Sequence, residues 1–353
     1  MKASPEPRTI ADRLARLIGQ SGPISVANYM AEANAHYYAT RDPLGRGGDF
    51  TTAPEISQMF GELIGLWLAD IWARSGSPTA ARYVELGPGR GTLAADSLRA
   101  MRAAGLTPPV HFVETSPVLR RAQAERVRDA RWHDDAGTLP DDAPLLVVAN
   151  EFFDALPVRQ LVASPSGWRE RLVTHSEGRF VPVPGPLVSA EALSAQLREA
   201  PPGTLAETSP ASAAIIRQLA QLIARSGGAA LIVDYGHERT GSGDTLQAVA
   251  KHGYADPWME PGERDLTAHV DFEALGRAAR EEGVLVMGPR PQGEWLEAMG
   301  IRLRASSLAK ASPGRAEEIE GAVRRLTAAE EMGTLFKVMA LVAQDWATPA
   351  GFG

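Results

Sequence analysis

The sequence predicts an α/β fold: an open, Rossmann-like sheet with helices on both faces, an N-terminal helical layer and an inserted α+β segment. Three observations carry this. Residues 81–92, Ala-Arg-Tyr-Val-Glu-Leu-Gly-Pro-Gly-Arg-Gly-Thr, read as an apolar strand closing on an acidic residue, a tight glycine loop and a helix start. Short strand-like runs at 110–113 and 130–133 and a fully apolar one at 145–149 then alternate with helix-forming runs, the rhythm of a parallel sheet with right-handed crossovers. The chain has 353 residues, 44% of them apolar, which is enough for one large core with an elaboration or for two domains.

The elements follow in order. Ile10, Leu14, Leu17 and Ile18 fall at helical spacing, Ser21-Gly22-Pro23 interrupts, and Ser25 can cap a second short helix reaching Met30. Residues 37–52 are too rich in glycine and polar groups for a regular element and read as a long loop. Thr52 and Glu55 have the spacing of a capping box, opening one helix whose apolar face runs from Ile56 to Trp72. On that helix Gly61, Gly65 and Ala69 recur every fourth residue and form a groove into which another backbone can press. After the fourth strand, 158–162, 168–174 and 179–183 read as antiparallel strands around Pro-Ser-Gly and Ser-Glu-Gly turns, followed by helices at 190–200 and 212–226. Residues 229–233 resume the sheet, 241–265 lack periodicity, 271–282, 296–299 and 316–329 are helical, and 335–343 form a final strand. The expected organisation is a helical layer with a covering loop over 1–80, a core from 81–156 and 229–353, and a substrate-side insertion over 157–228.

Composition narrows the chemistry. A net charge of −7 argues against general nucleic-acid binding, which needs a basic surface. With no cysteine, disulfides and thiolate metal sites are excluded, and the seven histidines lack metal-ligand spacing, so no metal is expected. No apolar run reaches the roughly 20 residues that span a bilayer, and the first thirty do not read as a secretory signal; a cytoplasmic protein is expected.

The glycine loop has the spacing G-x-G-x-G and not the G-x-G-x-x-G of a dinucleotide fold. Bare backbone at Gly87, Gly89 and Gly91 can approach a ligand without promising an anion site, which suits S-adenosylmethionine, whose sulfonium stands where a dinucleotide has a diphosphate. Glu114 ends the next strand, where a carboxylate can accept from both ribose hydroxyls. Asp134 or Asp135 ends the third strand, within reach of an adenine amino group or as a helix cap. Asn150 ends the fourth and opens Asn150-Glu151-Phe152-Phe153-Asp154, the polar groups facing the transferable group. Methyl transfer needs alignment more than covalent help. A guanidinium acceptor would need carboxylates to orient it, a role open to Glu151 and Asp154, with His269 able to take the proton. Competing readings are a non-catalytic assembly or interaction factor on the same fold, and a nicotinamide-dependent oxidoreductase, which the glycine spacing disfavours.

Longer motifs point further. Gly48-Asp49-Phe50-Thr51-Thr52-Ala53-Pro54-Glu55-Ile56-Ser57, Phe60-Gly61-Glu62, Glu85-Leu86-Gly87-Pro88-Gly89-Arg90-Gly91, Ala149-Asn150-Glu151-Phe152-Phe153-Asp154-Ala155-Leu156-Pro157, Asp234-Tyr235-Gly236, Asp265-Leu266-Thr267-Ala268-His269-Val270-Asp271-Phe272, and Met332-Gly333 with Phe336-Lys337-Val338 occur in this order. Together they resemble the MidA family of S-adenosylmethionine-dependent methyltransferases, whose mitochondrial member is a complex I assembly factor. The resemblance implies a class I methyltransferase fold with seven strands, the last antiparallel. It implies protein arginine N-methyltransferase activity on a complex I-type subunit or another protein, and leaves an oligomer open. Carried over residue by residue, it gives cofactor contacts at Gly87, Gly89, Gly91 and Glu114, with Asn150 and the segment from Gly48 to Thr52, Asp49 included, closing over the cofactor.

Overall fold

Seven strands make the central sheet: β1 (Arg82–Leu86), β2 (Val110–Val113), β3 (Arg131–His133), β4 (Leu145–Asn150), β5 (Gly228–His237), β6 (Leu285–Pro291) and β7 (Phe336–Val342). In the computed structural model, which describes residues 9–40, 52–191, 193–250 and 253–353, their order is β3-β2-β1-β4-β5-β7-β6. Strands β3 to β5 pair in parallel, and β7 lies antiparallel to both β5 and β6. The short strand Val270–Asp271 adds in parallel to the end of β5. The sequence order reverses between β1 and β4, so the carboxyl ends of those strands flank the crevice where open α/β sheets hold ligands.

The inner strands β1, β2, β4, β5 and β7 are buried on both faces. Leu146 and Val148, Leu231 and Val233, and Val338, Ala340 and Val342 join one apolar cluster with the helices α1 (Ala53–Ile56), α2 (Gln58–Arg74) and α3 (Thr92–Ala103). Their neighbours Val147, Ile232 and Met339 are fully buried as well. On that side a Cβ added at Gly276, in the helix Phe272–Arg280, would lie 3.6 Å from the Met339 sulfur. Near-continuous apolar runs are what a sheet covered on both faces demands.

By contacts the chain divides into two units. Among the described residues, one contains the chain up to Thr40, Asp154–Ser212 and Thr240–His269; the other contains 52 to Phe153, Ala213–Arg239 and Val270–Gly353. This differs from the division expected at 80, 156 and 228. The N-terminal helices and the 240–269 segment share a core with the insertion, whereas most of helix Pro210–Ser226 belongs with the sheet.

The first unit begins with helix Ile10–Ser21, closed by a reciprocal Thr9–Asp12 capping box and stopped at Gly22, whose φ is +85°. Ser25 Oγ accepts the Asn28 N–H at 3.1 Å, as expected of a cap. The second helix, Val26–Thr40, runs ten residues beyond Met30 and takes in Tyr37, Tyr38, Ala39 and Thr40, expected to be loop. Tertiary partners outweigh the missing periodicity: Tyr37 is fully buried, the Tyr38 hydroxyl donates to Asp265 at 2.8 Å, and Asn34 Nδ2 donates to the Ala155 and Leu266 carbonyls. Residues 41–51, including Asp49, lie outside the described residues.

The three antiparallel strands of the insertion form as expected, at Arg159–Ser164, Gly167–Ser176 and Arg179–Leu187, joined by Leu205–Thr208. The helix expected at 190–200 is a single turn, Ala195–Arg198. The supposedly unstructured 241–265 contributes Gln247–Ala250 and Gly253–Ala255, which with Asp265–Thr267 make a three-stranded sheet. In the second unit, strand β6 and helix Ile301–Ala311 were not foreseen.

Two corrections concern the helix after the long loop. The Thr52 side chain makes no cap bond, and Glu55 does not reach back to it: the Glu55 carboxylate accepts the Thr92 hydroxyl at 2.6 Å. The expected single helix is two: α1 stops at Ile56, and Ser57, which is extended, caps α2 by accepting the Met59 N–H at 3.2 Å. The small-residue groove on α2 is present. A Cβ at Gly61 would stand 2.7 Å from Asp96 Cβ, and one at Gly65 would stand 2.3 Å from the Ser97 carbonyl oxygen, so α3 packs backbone to backbone against it.

Candidate cofactor site

The site is built on the carboxyl ends of β1, β2 and β4. The loop after β1 turns sharply, with Gly87, Gly89 and Gly91 at φ of +59°, +53° and +77°. Side-chain-bearing residues rarely take such angles, which is why glycine occupies alternate positions here. Gly87 N–H donates to the Val113 carbonyl at 2.9 Å, tying the loop to β2, and Gly91 N–H closes the turn on the Pro88 carbonyl at 2.7 Å. Gly91 then serves as the left-handed N-cap of α3.

Beneath the loop, Glu85 is 2% exposed and accepts the Tyr83 hydroxyl at 2.6 Å. Burial pushes its carboxyl up to about 8, against the opposing pull of the Tyr83 hydrogen bond. An unfolded glutamate ionises near pH ~4.3, so the folded protein binds the extra proton between about pH 4 and 8. The stabilisation from this group is therefore complete below about pH 4 and is lost as pH rises through 8. Thermal unfolding between about pH 5 and 9 should show a falling midpoint for the wild type and a flatter profile for Glu85→Gln, with the variant ahead by on the order of 2 kcal/mol at the alkaline end. Parallel profiles would refute a buried titration.

Glu114 follows β2. Its Oε1 accepts the Ser116 N–H at 2.7 Å and its Oε2 accepts Gln123 Nε2 at 3.1 Å. Burial holds this carboxyl above the usual range, opposed by those two donors. Each oxygen keeps acceptor capacity, as recognition of paired ribose hydroxyls requires. Arg120 Nε donates to the Glu114 carbonyl at 2.7 Å, and its Nη2 meets Asp134 at 2.6 Å. Asp134 itself is exposed, its side chain 82% accessible, and Asp135 caps the following turn by accepting the Gly137 N–H at 2.7 Å.

At the end of β4, Asn150 is 8% exposed and donates from Nδ2 to Glu151 Oε1 at 3.3 Å. Its buried Oδ1 has no partner among the described residues. A buried acceptor without a donor is costly, and a bound ligand with an N–H or O–H would satisfy it. Glu151 has a φ of +49°, a strained angle for a residue with a side chain, and accepts the Ala53 N–H at 3.2 Å. What holds this turn is Asp234 at the end of β5: Oδ2 accepts the N–H groups of Phe152 and Phe153 at 3.1 and 2.9 Å, and Oδ1 accepts that of Tyr235 at 3.0 Å. Phe152 lies against the glycine loop, where a Cβ at Gly87 would come within 2.9 Å of its ring.

The second unit thus brings together Gly87, Gly89, Gly91, Glu114, Asn150 and Glu151, and it also holds Thr52 and Asp134. Asp154 and His269 belong to the first unit, where Ala268 N–H donates to the Asp154 carbonyl at 3.0 Å and His269 N–H donates to Thr245 Oγ1 at 2.9 Å. Asp154 is buried and His269 half-buried. Gln123 and Trp132 were not anticipated, and Asp234 was noted only within the Asp234-Tyr235-Gly236 motif, without its role in holding this turn. Gln123 sits four residues after Leu119 on the buried face of helix α4 (Pro117–Arg126), and a polar residue at an apolar-stripe position was the signal to read.

Residues 63–290 match the family model described as "Putative S-adenosyl-L-methionine-dependent methyltransferase". The chain is 39% identical over 382 residues to the mitochondrial protein arginine methyltransferase NDUFAF7 homolog of Drosophila melanogaster, covering 94% of this chain and 84% of the relative. It is 37% identical over 365 residues to the mitochondrial protein arginine methyltransferase NDUFAF7 of Homo sapiens, covering 92% and 81%. Its fold matches a Burkholderia thailandensis protein crystallised with S-adenosyl-homocysteine, with a TM-score of 0.85, 29% identity and coverage of 97% and 93%. The mitochondrial names overturn the cytoplasmic location expected above. Cysteine content and the lack of a long apolar run constrain chemistry, and neither encodes a compartment.

Proposed function

From the premise that this chain belongs to the S-adenosyl-L-methionine-dependent methyltransferase family, we propose that it methylates an arginine side chain of a protein. The observation that most supports a working site is the left-handed glycine loop set against Glu114, with the unpartnered Asn150 Oδ1 at the end of the adjoining strand. These groups suit S-adenosylmethionine: backbone for close approach, a carboxylate for the ribose, a buried acceptor for a donor. When bound, the cofactor supplies an electrophilic methyl group on a sulfonium.

The chain's own part is to bind, align and exclude water. An arginine cation is a poor nucleophile, and carboxylates that hold the guanidinium help one nitrogen present a lone pair. Glu151 takes that role in this reading, its strained backbone fixing the carboxylate beside Asn150. Asp154 and His269 are proposed as further acceptor-side groups. Alanine at either position should reduce methyl transfer and leave S-adenosyl-homocysteine affinity unchanged. The acceptor favoured by the family resemblance is a complex I-type subunit.

Calorimetric titration tests the cofactor assignment. Wild type should bind S-adenosyl-homocysteine, and Glu114→Ala should bind about 100-fold more weakly, the loss of hydrogen bonds to a charged group. Equal affinities would remove Glu114 from the site. For the acceptor, incubation with labelled S-adenosylmethionine and candidate proteins should yield a labelled band with the methyl group on arginine by mass spectrometry. Stable co-purification of an unlabelled partner would instead favour an assembly factor that has kept only the fold.

A further inference from the structure

We propose that Gln123 is a positioning residue of the cofactor site, holding the glycine loop and the ribose carboxylate in one register. The proposal rests on the methyltransferase reading above. Gln123 is fully buried in α4, yet its amide is engaged on both sides. Nε2 donates to the Gly89 carbonyl at 2.8 Å and to Glu114 Oε2 at 3.1 Å, and Oε1 accepts the Trp132 indole N–H at 2.8 Å. Both hydrogens of one NH2 group are committed, one to the loop and one to the acid. The indole, which can only donate, fixes which way the amide faces. The third glycine is also in register: a Cβ at Gly91 would come within 3.5 Å of Gln123 Cα.

The chemistry explains the choice of residue. Gly89 has a φ of +53° and its carbonyl must point somewhere; without the amide, loop and acid would each settle independently. A leucine would fill the space without donating. A lysine or arginine would neutralise Glu114 and compete with ribose hydroxyls for its oxygens. A neutral two-hydrogen donor connects the two groups and leaves the carboxylate free to accept. Among the described residues, Glu114 is the ionisable group in direct contact with the amide; Arg120 and Asp134 pair with each other while Arg120 also holds the Glu114 carbonyl, and Arg126, beside Gly91 with Gln123, donates to the Thr92 hydroxyl.

The test uses the full chain, S-adenosyl-homocysteine and three variants, with calorimetric affinity as a function of pH and the unfolding midpoint as readouts. Gln123→Leu should bind about tenfold or more weakly, the loss of a buried hydrogen-bonding group, with its unfolding transition retained. Trp132→Phe, which frees the amide to rotate, should lose roughly threefold. Gln123→Glu separates positioning from packing. As a carboxylate it faces two acceptors, and once protonated it can again donate, so its affinity should recover toward about pH 5 while the wild type shows no such recovery. Unchanged affinity in a folded Gln123→Leu, or a Gln123→Glu profile parallel to wild type, overturns the proposal. If Gln123→Leu does not fold, the Gln123→Glu profile decides. A wild type that does not bind S-adenosyl-homocysteine overturns the methyltransferase reading itself, and the proposal with it.

Discussion

Asp234→Ala is expected to destabilise the protein by about 4 kcal/mol, measured as a fall in the urea unfolding free energy. Asp234 is fully buried, and its carboxylate accepts the N–H groups of Phe152, Phe153 and Tyr235. Alanine leaves three main-chain donors without that acceptor in a part of the fold where water does not replace it. The damage is also functional. The same turn carries Glu151 at a φ of +49° and places the Phe152 ring against the glycine loop. Releasing it should loosen S-adenosyl-homocysteine binding even where enough folded protein remains to titrate. Asp234→Asn keeps one acceptor oxygen and should recover part of the stability. If all three proteins unfold at the same urea concentration, the carboxylate does not hold the turn.

Gly65→Val is expected to cost about 3 kcal/mol or to prevent folding, because α2 and α3 leave no room for a side chain at their crossing. Even a single Cβ there would meet the Ser97 carbonyl oxygen, α carbon and carbonyl carbon at 2.3, 2.7 and 2.8 Å, all main-chain atoms that cannot rotate away. Ser97 Oγ donates to the Gly61 carbonyl at 2.9 Å, so separating the helices also breaks a buried hydrogen bond. Gly19, on another helix, has nothing within 4 Å of its added Cβ and provides the control: Gly19→Ala should be neutral or slightly stabilising. A Gly65→Val protein as stable as wild type in thermal unfolding would refute the close crossing.

The strands at the centre of the sheet were legible because burial on both faces selects uninterrupted apolar runs, and Leu145–Asn150 could hardly be anything else. The glycine loop was legible because positive φ on alternate residues leaves a mark in composition that no side-chain-bearing residue can imitate. Glu114 could be found by counting from that loop. The errors share a cause. Residues 37–40 are helical through the burial of Tyr37 and the bond from Tyr38 to Asp265, partners more than 200 residues away. Glu55 has capping-box spacing, yet its carboxylate goes to Thr92 across the fold. Strand β6 is only half-buried, at the sheet edge beside β7, so its apolar pattern is weak.

Sequence alone determined the type of fold, the strand–loop–helix that begins the cofactor site and the family whose chemistry it serves. Each of these is written in local spacing: apolar runs, alternating glycines, an acid at a strand end. Only the tertiary structure decided which polar side chains hold that site in shape. Gln123 spans Gly89 and Glu114, Asp234 closes the turn after Asn150, and Glu85 is buried against Tyr83. The reason is physical. A hydrogen bond between residues far apart in the chain imposes no spacing on the sequence, and a buried glutamine or aspartate differs from an exposed one only in what folds around it.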